Sequence, residues 1–144
     1  MGRFRSALAG PGLAAIAEVK RRSPSAGDLR PDADPAVLAA DFERAGAAAV
    51  SILVDERFGG AVDDLRAARQ TATLPLLAKG FFREREELVA LREAGADAVL
   101  LLLRDLDDDE TGRLMGAAHE LGLDTLVEAH DAGEIGRASC RERV

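Results

Sequence analysis

Short apolar runs alternate with amphipathic helical stretches along nearly the whole chain, and this alternation constrains the fold more than any other feature. Ala14 to Val19 reads as a strand. Asp34-Pro35 then opens a helix, with Asp as N-cap and Pro at the first helical position. Leu38, Phe42 and Ala45 share one face of that helix, and Gly46 ends it. Ala48 to Val54 is a second strand. The spacing of Val62, Leu65 and Ala68 predicts a second helix. Leu74 to Lys79 is a third strand, with Pro75 near its start, where a missing N–H is tolerated. Glu84 to Ala94 is a third helix stopped by Gly95. Asp97 to Leu103 is a fourth strand, apolar without alternation, as expected of a strand covered on both faces. Asp107 to Leu121 is a fourth helix whose acidic first turn suits the helix dipole. Leu114, Ala118 and Leu121 form its apolar face, and Gly122 ends it. Leu123 to Glu128 is a fifth strand.

This order implies right-handed crossovers and a parallel α/β sheet. An internal echo points to repeated units. Ala45-Gly-Ala-Ala-Ala-Val-Ser-Ile-Leu53 matches Ala94-Gly-Ala-Asp-Ala-Val-Leu-Leu-Leu102, each a helix end, a glycine stop and a strand. The copies stand two units apart, as in a barrel of βα pairs. A doubly wound open sheet is the rival, although no Gly-x-Gly-x-x-Gly follows a strand.

A chain of 144 residues is at most one ordinary domain. Its longest apolar stretch, Ala98 to Leu103, is too short to span a bilayer, and no signal-peptide pattern follows Met1. With Cys140 as its single cysteine it forms no internal disulfide. A formal charge of −7 and the absence of Trp and Tyr argue against nucleic acid as the main partner. A cytoplasmic protein acting on a small molecule is the expectation.

The end of the chain changes character. Ile135-Gly-Arg-Ala-Ser-Cys-Arg-Glu-Arg-Val144 has no apolar period and sets three arginines beside the lone cysteine. Glu134 to Val144 resembles the translation of a short-read sequencing adapter. Residues 1–134 are therefore expected to be a partial barrel domain and residues 135–144 a non-native tail. A natural, frayed basic terminus is the alternative.

Polar residues fall where strands end, which is where chemistry sits in parallel α/β proteins. Strand alternation puts Ile16, Glu18 and Lys20 on one face. The third strand ends in Lys79, and the fifth places Leu126, Glu128 and His130 on one face. Three strands thus deliver Glu18, Lys20, Lys79 and Glu128 towards one opening. Inward-pointing charges are costly unless they pair or meet a charged ligand. Two ammonium groups can bind a carboxylate or phosphate, and neighbouring carboxylates can move protons. A lone Glu or Lys at a strand end is more often a plain salt bridge; four on three strands favour a site. His130 either fixes Glu128 or caps the helix that starts near Asp131. Ser23-Pro-Ser-Ala-Gly27 suits a loop approaching a phosphate, or a simple turn. Arg83 to Glu87 reads as a solvated helix face. The acidic run Asp105 to Glu110 lacks calcium-loop spacing and reads as a helix N-terminus with no metal site.

The run Ile16-Ala-Glu-Val-Lys-Arg-Arg-Ser-Pro-Ser25 resembles the first-strand signature of the indole-3-glycerol-phosphate synthase family. The likeness continues through Asp34-Pro35, Ser51 to Asp55, Phe58-Gly-Gly60, Leu76 to Lys79 with Phe81, Gly95 to Leu102, and Leu126-Val-Glu-Ala-His130. The resemblance implies a (β/α)8 TIM barrel preceded by a helical segment. It covers the end of that segment and the first five strands. The family's Asn-x-Arg, Glu-Ser and Gly-Ser motifs of the last three strands are not found here. It implies ring closure, with loss of carbon dioxide and water, of 1-(2-carboxyphenylamino)-1-deoxyribulose 5-phosphate in tryptophan biosynthesis, with no cofactor and no metal. By motif, Lys79 resembles the general acid. Lys20 resembles the lysine that holds the substrate carboxylate and assists dehydration. Glu18 and Glu128 resemble the acid–base and intermediate-stabilising carboxylates. Ser23 resembles the phosphate-loop serine, and Phe58 and Phe81 resemble apolar contacts to the anthranilate ring. Two departures stand out. Gly80 follows Lys79 where the family usually has Asp or Glu, and Val54 stands where it often has Thr. Gly80 should affect positioning more than protonation, because a side chain there would face away from Lys79.

The 144-residue stretch alone is expected to be inactive and to leave a strand edge open. Another phosphate-binding barrel enzyme, of sugar-phosphate isomerase type, is one alternative function. A non-catalytic half barrel that self-associates through its open edge is another. Candidate protein partners are other tryptophan-pathway enzymes or a second copy of the chain.

Overall fold

The computed structural model describes residues 2–141. Five parallel strands form its sheet: β1 (Ile16–Val19), β4 (Ala49–Leu53), β5 (Leu76–Lys79), β6 (Ala98–Leu102) and β7 (Asp124–Glu128), adjacent in that order. Each neighbour in space is the next long strand in sequence. A doubly wound sheet would reverse its order at a switch point. This one does not, so the architecture is that of consecutive units of a (β/α)8 barrel. Helices α2 (Pro35–Arg44), α3 (Val62–Thr71), α4 (Arg85–Glu93) and α5 (Asp108–Glu120) occupy the four crossovers. The expected strands and helices are all present, within about two residues at each end.

Local chemistry sets the boundaries. The Asp34 carboxylate accepts the Ala36 N–H, with Pro35 opening α2. Asp107 and Glu110 cap each other's backbone at the start of α5. Gly46, Gly95 and Gly122 adopt positive φ just past the helices they end. Ala45 departs from the expected helix face: it is exposed, while Pro35 and Ala39 are buried.

The two faces of the sheet bury different things. Val19, Val50, Ile52, Leu76, Ala78, Val99 and Leu101 point to the helices and meet Ala39, Leu65, Leu88, Leu91 and Leu114. Each large apolar side chain fully buried there contributes about 1.5–3 kcal/mol relative to exposure. The opposite, lumen face carries Ala49, Leu77 and Ala98, closed from below by Phe4 and Leu8 of α1 (Arg3–Leu8). A six-residue helix is marginal alone. This one is held by Phe4, by the Arg3–Asp97 ion pair, and by the Asp124 carboxylate accepting the Arg5 N–H.

Three short elements gave no periodic signal. Arg22–Ser23 (β2) and Gly27–Asp28 (β3) pair as a small antiparallel hairpin around Pro24. Glu56–Phe58 is a 3₁₀ turn after β4. The chain then makes a close approach at Gly60, where a Cβ would stand 1.9 Å from the Leu53 carbonyl oxygen. Finally α6 (Ala132–Arg141) starts where Asp131 caps the Glu134 N–H. The compositional boundary at 134/135 falls within α6, and residues 142–144 lie outside the described residues.

Candidate active site at the strand C-termini

Alternation along β1, β4 and β5 places Glu18, Ser51 and Leu77 side by side on the lumen face, with Leu53 and Lys79 one step nearer the strand ends. Glu18 is the hub. Its Oε2 accepts a hydrogen bond from Lys79 Nζ at 2.8 Å, and its Oε1 pairs with Lys20 Nζ at 3.0 Å. All three side chains are about one-third exposed. Burial pushes the Glu18 carboxyl up, but hydrogen bonds and charge from Lys79 and Lys20 outweigh it, leaving it below its ordinary value. The expected cost of inward-pointing charge is met by pairing. Among the described residues Glu18 is the side-chain partner of both ammonium groups, and either can exchange it for an anionic ligand.

Glu128 ends β7 on the same end of the sheet, but its contact lies elsewhere. His130 Nε2 stands 3.0 Å from Glu128 Oε1, while the His130 backbone N–H donates to Glu134. Of the two roles the sequence left open, His130 takes the contact with Glu128, while Asp131 accepts the Glu134 N–H and caps α6. Ser23 sits on the β2–β3 hairpin, its hydroxyl 3.1 Å from that of Ser25. Phe58 and Phe81 stack with centroids 6.4 Å apart, and the Arg57 guanidinium lies 4.1 Å over the Phe81 ring. Beside them opens a cleft of about 460 Å³ between the loops after β5 and β6. Phe81, Leu102 and Leu106 supply its apolar wall, and Arg57, Arg83 and Arg104 its charge.

Sequence reasoning overlooked three contributors. Arg21 donates to the Ala33 and Gly59 carbonyls and pairs with both oxygens of Asp64. It thereby joins the end of β1, the segment before α2, the turn carrying Phe58 and the start of α3. The Asp64 carboxylate raises the Arg21 pKa above its ordinary value against the opposing effect of burial. The only sequence hint is a cation directly after Lys20. Arg57 is the second; a cation one position before Phe58 was its signal. Ser51 is the third. It is buried, and its hydroxyl has no hydrogen-bond partner. Among the described residues, no group of three His, Cys, Asp or Glu side chains could hold a metal ion, and no helix is long and apolar enough to cross a membrane.

The family profile described as "Indole-3-glycerol phosphate synthase" matches residues 3–141. A protein of that name from Nocardioides sp. is 50% identical over 139 residues, covering 96% of this chain and 52% of the relative. Another from Hyphomonas neptunium is 44% identical, covering 87% and 48%. The chain thus spans about half the length of the curated relatives it matches. In three dimensions it is similar to a crystal structure of mandelate oxidase with (S)-2-phenylpropionate. The TM-score is 0.63 at 17% identity, over 96% of this chain and 49% of that one, a likeness of fold alone.

Proposed function

The chain belongs to the indole-3-glycerol phosphate synthase family, and from that premise we propose that the whole protein closes the indole ring of 1-(2-carboxyphenylamino)-1-deoxyribulose 5-phosphate, releasing carbon dioxide and water. The observation that carries this reading is one carboxylate bridging two lysines, at 2.8 and 3.0 Å, where the strands end. In that reading Lys79 is the general acid that polarises the substrate ketone during attack by the ring. Lys20 grips the carboxylate that is lost, then assists departure of the hydroxyl as water. Glu18, as a carboxylate, accepts the carbon-bound proton lost in the dehydration and passes it to one lysine, while the other lysine regains its proton from solvent, and Glu128, steadied by His130, stabilises the cationic intermediate. Phe58 and Phe81 flank the flat anthranilate ring, and Ser23 reaches the phosphate. A substrate with charged ends and one apolar face suits a site with paired lysines beside an aromatic wall.

We further propose a cytoplasmic location, a phosphorylated small molecule as the ligand, and activity only when the barrel is complete. β1 and β7 bound the sheet among the described residues. The division at 134/135 belongs to the same proposal; source DNA read past the Gly133 codon tests it. A natural coding sequence there would remove the tail hypothesis.

The test is turnover by the product of the uninterrupted gene, followed by Lys79→Ala. A positioned general acid is worth about 10²–10⁴-fold, so kcat/KM should fall by that factor. Unchanged kcat/KM would overturn the assignment of Lys79. Absence of indole-3-glycerol phosphate with the wild type would overturn the function.

A further inference from the structure

Ser51 sits in β4 directly across from Glu18 in β1, on the same lumen face, with Leu77 of β5 on its other side. Neighbouring strands lie about 4.8 Å apart, so the hydroxyl and the carboxylate are cross-strand neighbours. Only 3% of Ser51 is exposed, and its Oγ has no hydrogen-bond partner. Buried hydroxyls are almost always bonded, so an orphan inside a charged site calls for an explanation. Its lumen-face neighbours away from Glu18 are apolar: Ala49 two residues back on β4, Leu77 across from it on β5 and Ala98 beyond Leu77.

Glu18 shows the complementary condition. In this structure its two oxygens are each taken by a lysine, Oε1 by Lys20 and Oε2 by Lys79. A lysine that turns to an anionic ligand must leave Glu18, and the half-buried carboxylate then loses a donor. The orphan donor and the acceptor about to be orphaned face each other. We propose that Ser51 is a positioning residue whose hydroxyl takes over a Glu18 oxygen whenever Lys79 or Lys20 turns away to an anionic ligand. Ser51 then keeps Glu18 ionised and fixed while the lysines act on the ligand. The event is a rotation and an exchange of hydrogen bonds; no covalent bond changes.

This inference deepens the proposed function, because the exchange it describes needs an anionic substrate. Its donor–acceptor core can be tested without that substrate. Lys79→Met frees Glu18 Oε2 by mutation rather than by ligand. The Glu18 carboxyl is then titrated by carbon NMR in four versions of the 144-residue chain: wild type, Ser51→Ala, Lys79→Met and the double variant. Among the described residues the charged groups that face Glu18 are Lys20, just past the end of β1, and Lys79 on β5, so the cycle leaves one of the two constant. In the wild-type background Ser51→Ala should hardly move the Glu18 titration. In the Lys79→Met background it should raise it by about half to one pH unit, the scale of one neutral hydrogen bond. Ser51→Thr, which keeps the hydroxyl, should restore the lower value. Lys20→Met, which frees Oε1, provides a second background if the first does not fold.

Equal effects of Ser51→Ala in both backgrounds, or none in either, would overturn the proposal. Thermal unfolding separates it from a packing role. Removing an unpartnered hydroxyl should leave the midpoint unchanged or higher, and a lower midpoint would count against it. In the complete enzyme Ser51→Ala should lower kcat more than it raises KM and move the acid limb of the pH profile upward. If the complete wild-type enzyme shows no turnover, the proposed function fails while the titration cycle still judges Ser51.

Discussion

Two carboxylates in this molecule each sit between two cations, and they do opposite work. At the strand C-termini Glu18 lies between Lys20 and Lys79. At the strand N-termini Asp97, just before β6, lies between Arg3 and Arg69, at 2.9 and 2.5 Å. Asp97 is only 7% exposed and also accepts the Leu76 N–H, tying the start of β5 to the start of β6. Arg69 donates further to the carbonyls of Ala72, Leu74 and Gly95. Burial pulls the Arg69 pKa below its ordinary value even though Asp97 opposes the shift. Every partner in this lower cluster is fixed by something else. In the upper cluster the lysines are compact charges on flexible stems, with Glu18 as their one side-chain partner among the described residues. Planar, multiply bonded arginines suit a permanent joint, and lysines suit a grip that must open. Ion pairs alone therefore do not mark a site; partners left free to exchange do.

The largest expected effect would break the comparison from below. Asp97→Ala leaves a half-buried Arg69 without its charge partner and the Leu76 N–H without its acceptor. Loss of one partner from a buried pair costs about 3–5 kcal/mol. Urea unfolding should show a loss of that size, with the denaturant slope unchanged. A loss below about 1 kcal/mol would mean that the lower cluster is as exchangeable as the upper one.

Next in size is the response of the upper cluster to acid. Glu18 has a folded pKa below its ordinary value of 4.5. The pairs with Lys20 and Lys79 therefore stabilise the fold fully above about pH 4.5, and this contribution disappears as pH falls through the lower folded value. Glu18→Gln should flatten that part of the stability–pH curve. At neutral pH it should cost less than about 1 kcal/mol, since partly solvent-exposed pairs are worth little. Chemical denaturation between pH 3 and 7 checks both statements. A neutral-pH loss as large as that of Asp97→Ala would erase the contrast between the clusters.

Most of the upper cluster was legible in the sequence, and little of the lower one was. Glu18, Lys20 and Lys79 announce themselves because period-two alternation and strand ends fix their direction. Arg3, Arg69 and Asp97 come from a short helix, a helix end and a turn, where no period reports direction. Their contacts join residues up to 94 positions apart. Parallel strands followed from the βα alternation, but their order did not, since a doubly wound sheet shares that alternation; α1 and the hairpin at Pro24 are too short to carry a pattern. The absence of direct contact between Glu128 and the lysines was also invisible, because it depends on the His130 ring reaching Glu128. Ser51 looked like an ordinary strand residue. Only its burial without a partner sets it apart.

The smallest expected effect sharpens the comparison at the residue after the catalytic candidate. The family resemblance leads one to expect an acidic residue where Gly80 stands. A Cβ on Gly80 would point away from the lumen, 2.9 Å from Phe82 Cζ and 3.3 Å from Val54 Cγ2. Phe82 is buried on the helix side of the sheet, so an added side chain must displace the far edge of its ring. Such overpacking costs about 1–3 kcal/mol in a rigid core, and the low end applies because a ring edge can tilt. Gly80→Asp should therefore lower stability by about 1 kcal/mol in urea, while the Glu18 titration stays where it is. Both effects follow from direction: position 80 faces the apolar layer and Lys79 faces the lumen. A Glu18 titration displaced by Gly80→Asp would mean that the two faces of β5 are coupled, and that the upper cluster is held less independently than its geometry implies.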